Sequence, residues 1–166
     1  MTTQLQLVEN VIGDDLERLV SRLSRPGPRQ VRSIQGAVQR GFAENFTREG
    51  SGDGPWAPLA PFTVNQRQRL GYGGQHPILR RTGRLRDSFV NANSPDHFSE
   101  VSFTGSGVII AEGSDDERAA VLQRGRAGPR PMPARPVVTL DDGQESRIAD
   151  TIDLIIAQLE REVIGA

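Results

Sequence analysis

The sequence contains no cysteine, only one tryptophan and one tyrosine, and two histidines. Without cysteine there is no disulfide framework, no thiol catalysis and no thiolate metal site. Lysine is absent as well, so every strongly basic side chain is an arginine. A GC-rich coding bias accounts for that composition. So does a use of the planar guanidinium fork to hold carboxylates or phosphates across interfaces, and the two accounts are compatible. Aromatic residues make up 5 % of the chain and hydrophobic residues 36 %, which implies a modest, mostly aliphatic core. No apolar run approaches the ~20 residues that span a bilayer, and the polar N-terminus does not read as a signal peptide. Synthesis in a cytoplasm and no membrane partner are therefore expected. With a formal net charge of −1, no global field draws the chain to DNA or to an anionic membrane.

What is present suits one domain over residues 1–166 with long connections, since the chain holds 18 glycines and 11 prolines. Apolar spacing predicts a helix over 8–23, with Ile12, Leu16, Leu19, Val20 and Leu23 on one face. A second helix is predicted over about 29–49 with a stripe of Val31, Ile34, Val38, Phe42 and Phe46. Pro28 suits its first turn and Gly50 its C-terminal cap. Periodicity then disappears over 50–62, where Pro55, Pro58 and Pro61 favour an extended arm. Thr63 and Gln66 match a capping box that opens a short helix to about Leu70. A turn and short helix precede three strand candidates, 89–92, 99–103 and 108–111, which together suggest an antiparallel meander. Ser114 and Glu117 form a second capping-box pattern for a helix ending at Gly125. A second proline-punctuated arm covers about 125–136, followed by a strand candidate at 137–139. The last helix spans about 142–163, with Ile148, Ile152, Ile155, Leu159 and Val163 as its stripe. The expected fold class is α+β, with long helices packed on a small antiparallel sheet and extended Pro-rich arms.

No catalytic, cofactor or metal constellation emerges from the pattern. The run Gly50-Ser-Gly-Asp-Gly54 lacks the Lys-Ser/Thr of a phosphate loop and follows a helix instead of a strand. His76 and His97 fall in loop or strand-edge contexts without metal-ligand spacing and read as polar surface. Ser94-Pro-Asp-His97 and Ser114-Asp-Asp-Glu117 are better explained as turn and cap formers. Asp141 and Asp142 suit the start of the last helix, where negative charge is favoured.

Charge is segregated by sign along the chain. Arg67, Arg69, Arg80, Arg81, Arg84 and Arg86 occupy the stretch from Thr63 to Arg86 with no acid among them before Asp87. The final helix is mostly acidic. Such segregation suits pairing with copies of the chain or with a partner, and the Arg80–Arg86 stretch is the candidate surface for acids on a neighbour's last helix. A solvated surface with internal pairs produces the same pattern. An Arg-lined path facing DNA is a further option, though it lacks the interleaved aromatics of single-strand binders.

The segment from Phe42 to Ser88 resembles the phage virion morphogenesis family, which includes tail completion or head–tail joining proteins of Mu-like and related tailed phages. The motif residues are Phe42 and Phe46; Gly54, Pro55, Trp56 and Leu59; Thr63; and Leu79, Thr82, Gly83, Leu85 and Ser88. The downstream Ala119–Gly125 and Pro131–Val138 stretches are similar to that family's later elements. The resemblance thus covers roughly Gln39 to Leu159. Where many relatives carry a His near the hydrophobic-Gly turn and a Lys-rich helix after the Trp motif, this chain has Gln123 and arginines.

The resemblance implies a non-enzymatic virion protein, without cofactor, that completes the tail and joins it to the head as a ring at the neck. A head-completion stopper or a tail terminator at another level of the neck is the alternative, and a DNA-binding module using the Arg-rich stretches is a further one. Its implied partners are copies of itself, with a hexamer as one closure, other neck and tail proteins, and packaged DNA. The candidate contact residues, taken from the segregated arginines and the Pro-rich arms, are Trp56, Leu59, Arg67, Arg69, Arg80, Arg81, Arg84, Arg86, Arg130 and Arg135. For Trp56 two uses stay open: an anchor in a partner's groove, or a fold-back onto its own helix stripe.

Overall fold

A computed structural model of the chain describes residues 17–104, 107–129 and 131–164. Residues 17–24 are helical (α1), while the rest of the first expected helix lies outside the described residues. The long helix α2, Pro28–Arg48, starts with proline in its first turn and buries Val31, Ala37, Phe42 and Phe46 along one face. Gly50 is not its cap. Glu49 takes the left-handed conformation at φ 53°, and Gly50 instead enters a two-residue strand, Gly50–Ser51 (β1), paired with Gly54–Pro55 (β2). A Cβ on Gly50 would lie 2.9 Å from the Gly54 carbonyl oxygen, so the close strand approach is what requires glycine there. Glu49 also supplies the contacts that fix this corner. Its carbonyl accepts from Trp56 N at 2.7 Å, and its carboxylate accepts from Ile78 N at 2.7 Å and meets His76 Nδ1.

Helix α3, Pro61–Arg69, begins earlier than expected. Pro61 takes its first turn after an extended Ala60, and Thr63 makes no cap. Helix α4, Arg84–Val90, follows Gly83 in a left-handed conformation. The strand expected at 89–92 does not form. Leu85, Ser88 and Phe89, at i, i+3 and i+4, are all buried, which is the spacing of one helical face and not of a strand. The meander is thus a hairpin of His97–Phe103 (β3) and Val108–Ser114 (β4), in register from His97↔Ser114 to Phe103↔Val108.

Asp116, not Ser114, caps helix α5, Glu117–Arg124, by accepting from Arg118 N at 3.0 Å; Gly125 ends it at φ 72°. The expected strand at 137–139 is also absent. The carbonyls of Val137 and Thr139 accept from Asn45 Nδ2 at 2.7 and 3.1 Å, so a buried α2 side chain takes the place of a strand partner. The last helix, α6, Asp142–Ile164, opens with a reciprocal capping box. Gln144 N donates to Asp141 Oδ1 at 2.8 Å, and Asp141 N donates to Gln144 Oε1 at 2.9 Å. Of its expected apolar stripe, Leu159 and Val163 are buried while Ile152 is exposed.

The fold is α+β, with helices over two small antiparallel sheets of two strands each. Its core joins Phe42 and Phe46 of α2, Trp56, Ile78, Leu85 and Phe89 of α4, Leu122 of α5, and Val137. Helix α6 packs along α2, and ion pairs Arg147–Glu44 and Arg48–Asp141 flank that contact.

Candidate functional site

The two Pro-rich segments are folded against one another. Trp56 is 5 % exposed, and its ring stands edge-on to Phe46 at 5.5 Å between centroids. Its Nε1 donates to the Pro136 carbonyl at 2.7 Å, which ties the first arm to the second. Arg135 makes the reverse tie: Nε donates to Ala57 O and Nη2 to Pro58 O, both at 2.8 Å. Burial without a carboxylate partner pulls the Arg135 pKa below that of a free guanidinium. Its own N–H donates to Leu122 O at 2.7 Å, and an Arg126–Met132 bridge closes the second arm. Gln123 accepts from Val137 N at 3.0 Å and so holds the chain leaving this arm. Of the two uses open for Trp56, the structure shows the internal one.

The other expected contact residues differ in their surroundings. Arg84 is paired inside the chain, with Nε and Nη2 donating to the Asp96 carboxylate at 2.7 and 3.1 Å, and Arg86 meets Asp87 at 3.3 Å. Arg69, Arg80 and Arg81 are exposed and have no acidic partner among the described residues; Arg81 lies over the Tyr72 ring at 5.7 Å. Arg67 is buried, and its Nε has no hydrogen-bond partner. Leu59 is half-buried against the core, and Arg130 lies outside the described residues.

Arg67 points to a feature that the sequence did not indicate. Together with Leu59, Leu79 and Leu122 it lines a cavity of about 240 Å³, at whose edge Arg81 and Arg118 also stand. Residues far apart in sequence meet here, because α3, the 78–83 turn and α5 converge on it.

His97 departs from the polar-surface expectation. Its side chain is 4 % exposed, and Nε2 lies 3.2 Å from Oε2 of Glu112, itself 1 % exposed. Nδ1 lies 3.0 Å from the Ser88 carbonyl, which can only accept, so that nitrogen carries a proton. Glu112 further accepts from Gln39 Nε2 at 2.9 Å and Ser99 Oγ at 2.6 Å. Pairing of β3 with β4 turns these groups under α2, so the polar cluster fastens the hairpin to that helix. His76 does stay exposed, beside Glu49. No group of His, Asp and Glu able to hold a metal ion occurs among the described residues.

Three carboxyls titrate below the ordinary aspartate range, each chiefly through a guanidinium hydrogen bond: Asp96 with Arg84, Asp116 with Arg118, and Asp141 with Arg48. A depressed folded-state pKa adds stability that is complete above the unfolded value, about 4, and disappears as pH falls through the lower folded value. Urea midpoints should therefore be level above about pH 5 and fall below about pH 4. Asp116→Asn should flatten that fall. An unchanged acid slope in this variant would remove Asp116 from the explanation.

Fold and surface together define an α+β protein whose proline-rich arms are locked inward and whose Arg69, Arg80 and Arg81 are exposed without an acidic partner among the described residues. The chain belongs to the phage virion morphogenesis family, whose model matches residues 7–157. No curated protein and no solved structure matches. The family makes this a bacteriophage protein with a structural or assembly role in the virion, where it interacts with other phage proteins. No helix among the described residues is long and apolar enough to cross a membrane.

Proposed function

We propose that this chain, acting as a single domain, completes the tail and joins it to the head as a ring of its own copies at the neck. The observation that carries this reading is the family match over residues 7–157, whose motif residues Phe42, Phe46, Trp56 and Leu85 form the core of the fold. A ring needs a heterologous contact, in which one patch meets a different patch on the next copy. Exposed Arg69, Arg80 and Arg81, and exposed Asp150, Asp153 and Glu160 of α6, which form no ion pair among the described residues, supply two patches of opposite sign. The function is structural and non-enzymatic.

In-vitro complementation tests the role. Purified chain added to an extract containing separate heads and tails should restore infectious particles, and an extract that stays uninfectious would count against joining. Contact with packaged DNA would run along Arg69 and Arg80, and would show as duplex binding that weakens steeply with salt. Absence of binding even at low salt would confine the role to protein contacts.

A further inference from the structure

The cavity lined by Arg67, Arg81 and Arg118 holds a buried guanidinium whose charge is not matched by an acid among the described residues. Arg67 is 5 % exposed, no acid pairs with it among the described residues, and its buried Nε donates to nothing. Arg118 at the same cavity is already paired with Asp116, and Arg81 only overlies Tyr72. A buried guanidinium without a partner is unfavourable, and a carboxylate placed beside it removes that penalty. Leu59, Leu79, Leu85 and Leu122 line the cavity together with Thr63, Gln66 and Thr82, so it offers an apolar wall beside its arginines and fits an apolar group flanked by acids.

Helix α6 presents such a group on its outer face. Leu154 is 70 % exposed, and Asp150 and Asp153 lie four and one residues before it, exposed and without an ion pair among the described residues. Asp150 and Leu154, at i and i+4, share one face, and Asp153 borders it. We infer that the Arg67 cavity receives the Asp150–Asp153–Leu154 face of α6 from a second copy of this chain. Leu154 enters between the leucines while the carboxylates meet Arg67 and Arg81. The contact is heterologous, because cavity and helix face are different patches, and it repeats from copy to copy. This inference rests on the reading that copies of the chain adjoin in the virion.

Because the chain has no cysteine, two introduced thiols are the only ones in it, and a link between copies is recognised by a mass that is a multiple of this chain's own. Assembled particles carrying Thr82→Cys and Leu154→Cys in one chain, treated with a short bismaleimide, should give a ladder of linked copies, and neither single variant should exceed a dimer. Arg81→Glu should weaken the link at least about tenfold, because a like-charge contact replaces an attraction. Adding Asp153→Arg to it should restore part of the yield. Both positions are exposed, so folding is preserved and circular dichroism checks it. Several copies per particle without a ladder would overturn this contact and leave the ring standing. A single copy per particle would overturn both.

Discussion

Trp56→Ala should lower unfolding free energy by about 3–5 kcal/mol, the range for removing a large buried aromatic. The ring contacts Phe46, which is completely buried, and belongs to the cluster that includes Phe89 and Val137. The substitution also removes the Nε1 bond to Pro136 and so releases one of the ties between the two arms. Trp56→Phe separates the two effects. It keeps most of the apolar contact but leaves the Pro136 carbonyl unpaired, and should cost about 1–3 kcal/mol. Urea unfolding followed by circular dichroism measures both. Wild-type stability in Trp56→Ala would contradict its place at the centre of the core.

Gln144→Ala should cost about 3 kcal/mol, a large loss for a polar side chain, because it removes buried bonds and a helix cap at once. Gln144 is almost completely buried. Its Nε2 donates to Gly41 O at 2.9 Å and to Asn45 Oδ1 at 3.0 Å, while its Oε1 accepts from Asp141 N. Through Asn45 the same network reaches the Val137 and Thr139 carbonyls. The variant should therefore loosen the chain around Val137 as well as the start of α6. Hydrogen exchange would show faster exchange at both places, whereas a loss below about 0.5 kcal/mol would mean that water replaces the side chain.

Helices α2 and α6 were legible in the sequence because a long 3.6-residue period reports one buried face whatever lies across it. Gly125 was legible as a stop because a left-handed residue after an apolar run is a local requirement. The Phe89–Ala92 segment was misread for the opposite reason. Phe-Val is locally strand-like, and the segment is helical because Leu85, Ser88 and Phe89, at i, i+3 and i+4, are buried together. Glu49 replaced Gly50 as the cap because the glycine was needed for a strand contact that spacing does not reveal. The Asp141–Gln144 capping box is present in the sequence as Asp-x-x-Gln, although the adjacent acids Asp141 and Asp142 mask it as a general preference for negative charge. Burial of Arg67 and of the His97–Glu112 pair depends on elements that are distant in sequence and left no local signal. Of the site, the arginine-rich stretch was legible, but not which arginines are paired, buried or free.

The role in joining is tested most directly by electron microscopy of lysates from phage lacking this gene. DNA-filled heads beside separate tails of near-normal length are expected. Tails of runaway length would indicate a terminator, and emptied heads without other defects a stopper. Complete infectious particles would contradict the joining role outright.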